Sequence, residues 1–196
     1  VDKKKRLLIC GDSFVADWSK KNKDKIGWVN MLNDYFDVTN IAQAGVSEYK
    51  IYLQIKKIKL SNYDYVLISH TSAYRIPIVH HPIHKNDILH NECDLIYSDV
   101  KEHSDNHLMN VAKEFYEHLF NVDYFVFIHK LIRNEIKKLV PNAINITFFD
   151  SFNNDCLKLE KIFLKNKGDI NHLNSKGNKE VLKKLLLKIN KIKNEN

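Results

Sequence analysis

Short apolar runs alternate with spaced apolar stripes along this chain. Arg6 to Cys10 (RLLIC) is an apolar run ended by Gly11 and reads as a buried strand. Val38 to Ala42 and Tyr65 to Ser69 (YVLIS) read the same way, and Ala143 to Phe149 gives a fourth strand. Between them, apolar residues recur at three- and four-residue steps, the signature of one helix face. Ile26, Val29, Leu32 and Phe36, with Trp28 and Tyr35, form the first stripe. Ile51, Ile55 and Ile58 form a second, with Ser47 a fair N-cap. Leu108, Val111, Phe115 and Leu119 predict a helix capped by Ser104 or Asp105. Phe125, Ile128, Ile132, Ile136 and Leu139 predict another, ending before Pro141. Val181, Leu182, Leu185, Leu186, Ile189 and Ile192 predict a closing helix. Buried strands alternating with amphipathic helices argue for an α/β fold, with a parallel sheet covered on both faces.

Composition narrows this picture. A chain of 196 residues suits one domain spanning 1–196, and five glycines and three prolines leave few places for a linker. With 44% hydrophobic residues the chain is too apolar to be disordered. No apolar run approaches the roughly 20 residues of a membrane span. No signal-peptide pattern opens the sequence, and Cys10, Cys93 and Cys156 are too few and too scattered for a disulfide framework or a four-cysteine zinc site. A reducing, cytoplasmic location is therefore expected. The formal charge of +7 first suggests nucleic acid, but its placement argues otherwise. Residues 1–6 carry +3 and residues 176–196 carry +5, which leaves −1 for residues 7–175. The lysines of the last segment fill the solvated back of its helix, so no nucleic-acid partner is expected.

In parallel sheets reactive residues gather at the carboxyl ends of the strands. Directly after the first strand stands Gly11-Asp12-Ser13-Phe14, which exposes a serine at a strand-to-turn junction. After the second comes Asn40-Ile41-Ala42-Gln43-Ala44-Gly45-Val46-Ser47, where Gly45 lets a backbone N–H approach a ligand closely. Before the last helix comes Asp169-Ile170-Asn171-His172-Leu173-Asn174, followed by Gly177. An aspartate three residues before a histidine can orient the imidazole while its other nitrogen faces a nucleophile. Each motif alone is common, and what distinguishes them is their placement and fixed order.

On GDSF at 11–14, NIAQAGVS at 40–47 and DINHLNSKG at 169–177 the sequence resembles the SGNH hydrolases, the GDSL-type esterase superfamily. The resemblance covers nearly the whole chain. It implies a three-layer α/β/α sandwich of flavodoxin-like type, with Ser13 as nucleophile, His172 as general base and Asp169 as its orienting partner. The backbone N–H groups of Ser13 and Gly45 would be two arms of the oxyanion hole. One element departs from the family: its Gly-x-Asn-Asp after the third strand is replaced here by Ser69-His70-Thr71-Ser72-Ala73-Tyr74-Arg75. Thr71, Ser72 or Arg75 is expected to supply the missing third donor, with Ser72 and Arg75 leading. Asp12, Phe14, Tyr74 and Arg75 are the candidate substrate-binding residues.

Residues 74–104 follow the third strand and are expected to form a lid or side wall over Ser13. His80, His81, His84, His90, His103 and His107 crowd this region, with Asp87, Glu92, Cys93, Asp94 and Asp105 among them. Imidazole, thiolate and carboxylate together suit zinc, but Pro82 spoils a helical pairing of His80 with His84 and no zinc spacing appears. No metal and no cofactor are expected. The resulting expectation is a serine esterase that removes a short acyl group, most plausibly acetyl, from a carbohydrate or small polar alcohol. An O-acyltransferase of glycan modification and a non-catalytic binding domain are the alternatives. Sequence gives no oligomeric state.

Overall fold

The structure is a computed structural model that describes residues 3–149 and 156–195. The domain expected over 1–196 thus includes residues 1–2, 150–155 and 196, which lie outside the described residues. Five parallel strands form one sheet in the order β2 (Asp37–Asn40), β1 (Arg6–Cys10), β3 (Tyr65–His70), β4 (Ile144–Thr147) and β5 (Leu157–Lys158). Leu7 lies opposite Val38 on one side and Tyr65 on the other, and Ile68 lies between Cys10 and Asn145.

Alternation along each strand divides the apolar residues between two cores. Leu7, Ile9, Leu67, Ile144 and Ile146 face α1 (Trp28–Met31), α6 (Glu160–Lys165) and α7 (Ser175–Glu195), meeting Trp28, Val29, Ile162, Val181, Leu185 and Ile189. Leu8, Cys10, Val66 and Ile68 face α2 (Glu48–Lys56) and α5 (Val122–Leu139), meeting Ile51, Ile55 and Ile136. Burial on both faces explains why the inner strands read as unbroken apolar runs rather than alternating ones. The three-layer α/β/α sandwich follows from this division.

Several elements differ from the sequence reading. The first stripe is not one helix: α1 has four residues and passes into a 3-10 turn at Leu32–Asp34. Asn30, Asn33 and Asp34, residues that favour turns over helix interiors, break it up. The cap of α4 (His107–His118) is Asn106 rather than Ser104 or Asp105; its Oδ1 accepts the N–H groups of Leu108 and Met109 at 3.0 and 3.4 Å. The two-residue β5, the six-residue α6 and the exposed β6 (Lys167–Ile170) were too short or too polar to show a period.

The segment after β3 is an ordered wall with a small core of its own. α3 (Tyr97–Glu102) and α4 bury Leu95, Val100, Met109 and Ala112 against Ile76, Ile78 and Tyr116. Ile76 and Leu95 exchange backbone hydrogen bonds at 3.1 Å in both directions. Among the described residues no helix is long and apolar enough to cross a membrane. Cys10, Cys93 and Cys156 are buried and carry no disulfide.

Candidate active site

Ser13 stands where β1 ends. Gly11 has φ +149°, and a Cβ there would lie 2.7 Å from that of Ser69, so only glycine fits this exit. Gln54 completes the exit by accepting from Gly11 N and donating to Gly11 O, at 2.8 and 3.1 Å. The turn that follows has every carbonyl from 12 to 16 occupied. Asp12 O accepts Val15 N and Ala16 N. Ser13 O accepts the indole N–H of Trp18 at 3.0 Å, and Phe14 O that of Trp28 at 3.1 Å. Val15 O accepts Asn40 Nδ2 and Ala16 O accepts Asn171 Nδ2. A backbone saturated in this way holds the Ser13 hydroxyl in one place.

His172 Nε2 meets Ser13 Oγ at 2.8 Å, across 159 residues of chain. The imidazole is held by rings: those of Phe14 at 4.5 Å, Trp18 at 6.4 Å and Phe163 at 6.5 Å. Burial pushes its pKa below the usual histidine value; the Asp12 charge works against this, and the Arg75 and His90 charges reinforce it. The imidazole is therefore neutral, and able to accept a proton, over a wider range than a free histidine.

The expected pairing of Asp169 with His172 is not made. Asp169 is exposed on β6 and has no hydrogen bond or ion pair among the described residues. The chain reverses immediately after it: Asn171 and His172 both take left-handed backbone, φ 52° and 62°, and Gly168 N donates to His172 O at 3.1 Å. Lys167, Gly168 and Asp169 of β6 are all exposed, while the reversal carries His172 inward to Ser13. Among the described residues the carboxylate that acts electrostatically on His172 is Asp12, fully buried beside Ser13.

Gly45 has φ +77°, and a Cβ there would lie 2.6 Å from that of Cys93. Its carbonyl accepts Asp94 N at 3.1 Å, while Ser47 N donates to Asp94 Oδ2 at 2.7 Å. The backbone N–H groups of Ser13 and Gly45 have no acceptor among the described residues. Of the candidates for a third donor, Thr71 gives its hydroxyl proton to Asp12 Oδ2 at 3.0 Å. Arg75 uses its two terminal nitrogens on Val46 O at 2.6 Å and Asp12 Oδ2 at 3.1 Å. Ser72 Oγ accepts Tyr74 N at 3.2 Å and keeps its own proton uncommitted.

The residues proposed from sequence to hold substrate have other partners. Phe14 is 4% exposed, stacks on Phe148 at 4.3 Å, and supports His172 from within the core. Asp12 and Arg75 form a buried ion pair. The Tyr74 ring lies against Phe120 at 6.3 Å, and its carbonyl accepts Tyr116 Oη. Sequence reasoning passed over Trp18, which touches Ser13 O, the His172 ring and, at 5.8 Å, the His90 ring of the wall. Nothing in the local pattern marks it, because its partners lie far along the chain. Also unforeseen is buried Glu48, at the start of α2. It receives Thr71 N at 3.1 Å and lies 2.5 Å from His70 Nδ1. Burial works to raise its pKa, but the charge of His70 and the hydrogen bonds of His129 and His70 hold it well below the usual carboxylate range.

The histidines of the wall gather on Asp99. His84 Nε2 and His81 Nε2 each lie 3.1 Å from its carboxylate and His103 Nε2 lies 3.5 Å away. Ligand atoms of His81, His84 and Asp99 fall within 4.8 Å of one another, close enough for a metal. His81 Nδ1 accepts the N–H groups of Ile83 and His84, both at 3.2 Å. His81 Nε2, though near the carboxylate, makes no hydrogen bond among the described residues, and His84 Nε2 is the imidazole hydrogen-bonded to Asp99. The group is a carboxylate clasped between imidazoles within the wall.

Neither a protein-family model nor a curated protein sequence matches this chain. Among solved structures it is similar to a catalytic mutant of an acetylxylan esterase from Geobacillus stearothermophilus, at 12% identity and a TM-score of 0.41, covering 96% of this chain and 95% of that one. It is also similar to a GDSL-like lipase from Bacteroides thetaiotaomicron, at 10% identity and a TM-score of 0.43 over 96% and 89% of the two chains. A third is a putative acylhydrolase from Bacteroides fragilis, at 14% identity and a TM-score of 0.41 over 97% and 91%.

Proposed function

We propose that this protein is a serine esterase of the SGNH type that works through a Ser13–His172 pair and removes a short acyl group from a carbohydrate or other polar alcohol. The observation that carries the reading is the 2.8 Å contact between Ser13 Oγ and His172 Nε2. The backbone N–H groups of Ser13 and Gly45, which have no acceptor among the described residues, support the same reading. In the reaction His172 Nε2 takes the hydroxyl proton as Ser13 Oγ bonds to the ester carbonyl carbon. The two N–H groups receive the developing oxyanion, with Ser72 the side chain free to add a third hydrogen bond. The alkoxide leaves with the proton from His172, and water releases the acyl group from Ser13 by the same steps.

With Asp169 in solvent, the imidazolium that forms is favoured by the charge of Asp12 and held in place by aromatic packing. A polar wall rich in histidine, with Trp18 and His90 at the site, supports a small polar substrate over a fatty chain. A fluorophosphonate tests the reading: Ser13 Oγ bonds to phosphorus, fluoride leaves, and His172 takes the proton. Wild-type protein should be labelled at Ser13 and should hydrolyse p-nitrophenyl acetate, and Ser13→Ala should do neither. Equal hydrolysis by the two proteins would sink the proposal.

A further inference from the structure

The turn that carries His172 holds two consecutive residues, Asn171 and His172, in left-handed backbone at φ 52° and 62°. One such residue is tolerated when it is asparagine, but two in succession persist only where the surroundings over-determine them. Here they are fixed from both sides. Asn171 is fully buried, and its Nδ2 donates to Ser13 O at 3.3 Å and to Ala16 O at 2.9 Å, the two ends of the nucleophile turn. Behind the amide stands Gly27, where a Cβ would lie 1.8 Å from Asn171 Oδ1. After the histidine, Asn178 Nδ2 faces the carbonyls of Ile170, Leu173 and Asn174 at 3.0–3.2 Å, and its Oδ1 accepts Trp28 N at 2.8 Å. Asn171 Oδ1 is buried with no donor among the described residues, an arrangement unfavourable for stability in itself. An amide kept in place with half its polar capacity unmet is kept for the other half.

We propose that Asn171 is a positioning residue: its carboxamide pins the His172 turn to the Ser13 turn and so sets the contact between nucleophile and base. This rests on the reading that Ser13 and His172 act together. The left-handed backbone at Asn171 and His172 ends the exposed β6 and turns the His172 side chain toward Ser13, and the amide fixes how far. Gly27 is the other half of the device, because its missing Cβ is the space the amide occupies.

Two substitutions separate positioning from mere stability. Asn171→Gly keeps the left-handed backbone, which glycine adopts freely, and removes only the amide. Gly27→Ala drives a methyl group into the same amide from behind. In folded protein, confirmed by melting curves, Asn171→Gly should slow fluorophosphonate labelling of Ser13 and lower kcat on p-nitrophenyl acetate by about 10- to 100-fold, with KM changed less than about twofold. Gly27→Ala should reproduce this loss in the wild-type background and add less than about twofold in the Asn171→Gly background, where the 1.8 Å collision is gone and the Ile170 methyl at 3.0 Å is the close neighbour left. Full multiplication of the two losses would overturn the inference, as would a folded Asn171→Gly protein labelled as fast as wild type. Should Asn171→Gly fail to fold, folded Gly27→Ala decides alone: a tenfold slower label supports the device and a wild-type rate overturns it. Absence of labelling in the wild-type protein would instead remove the nucleophile reading, and this inference with it.

Discussion

Replacing Arg75 by methionine keeps an apolar side chain of similar length and removes the guanidinium, whose Cζ lies 5.7 Å from the centre of the Phe149 ring. The consequence for stability follows from burial. The Arg75 and Asp12 side chains are 7% and 0% exposed, and Thr71 is the other side chain on the same carboxylate oxygen. Removing one partner of a buried pair leaves an uncompensated charge, which typically destabilises by about 3–5 kcal/mol. That is a large part of the roughly 5–15 kcal/mol that holds a domain together, so Arg75→Met should be assayed well below its melting point.

The consequence for catalysis has a definite sign. Burial lowers the His172 pKa, Asp12 raises it and Arg75 lowers it. Arg75→Met removes a lowering charge, so the acid limb of kcat/KM should move to higher pH. Asp12→Asn removes the raising charge and should move the limb the other way. Hydrolysis of p-nitrophenyl acetate from pH 4 to 9, with urea unfolding in parallel, reads both effects. Limbs that shift in the same direction would refute the electrostatic argument. So would an Arg75→Met protein within about 1 kcal/mol of wild type, since a buried pair must lose more than that.

Gly45→Ala places a side chain at φ +77°, a strain of about 1–2 kcal/mol, and sets its Cβ against Cys93. Displacement of the Gly45 N–H should lower kcat by about 100-fold with little change in KM, and retained wild-type kcat would exclude that N–H from the oxyanion hole. In the wall, the Asp99 carboxyl is held at about 2: burial works to raise it, and the imidazoles of His81 and His84 outweigh this. Because the folded value lies below the roughly 3.9 of an unfolded chain, the associated stability is present above pH ~4 and is lost as pH falls toward 2. Asp99→Asn should therefore flatten the acid end of a stability-versus-pH curve from urea unfolding, and an unchanged curve counts against the clasp.

How legible the site was depended on the range of the interactions that make it. The inner strands and the motifs at their carboxyl ends were readable because apolar runs and the strand-end rule are local. Ser13, Gly45 and His172 became candidates that way. Asp169 was over-read: its spacing to His172 fits a pairing, but the exposed face of β6 and two left-handed residues are not written in the spacing. Phe14 looked like a substrate contact because it adjoins Ser13, whereas Phe148, Phe149 and Phe163 claim its ring from more than 130 residues away. Asn171 lies inside the 169–177 motif with nothing local to mark it, since its partners are the carbonyls of Ser13 and Ala16 at the other end of the chain. A carbonyl has no sequence signature.

The wall and the Gly45 loop share a backbone seam. Ala44 N donates to Leu89 O, Asp94 N to Gly45 O and Ser47 N to Asp94 Oδ2, while Lys50 ties Glu92 O and Asp94 Oδ1 together. Opening the wall along this line would pull the Gly45 backbone with it, so the wall and the loop that carries the Gly45 N–H behave as one mechanical piece.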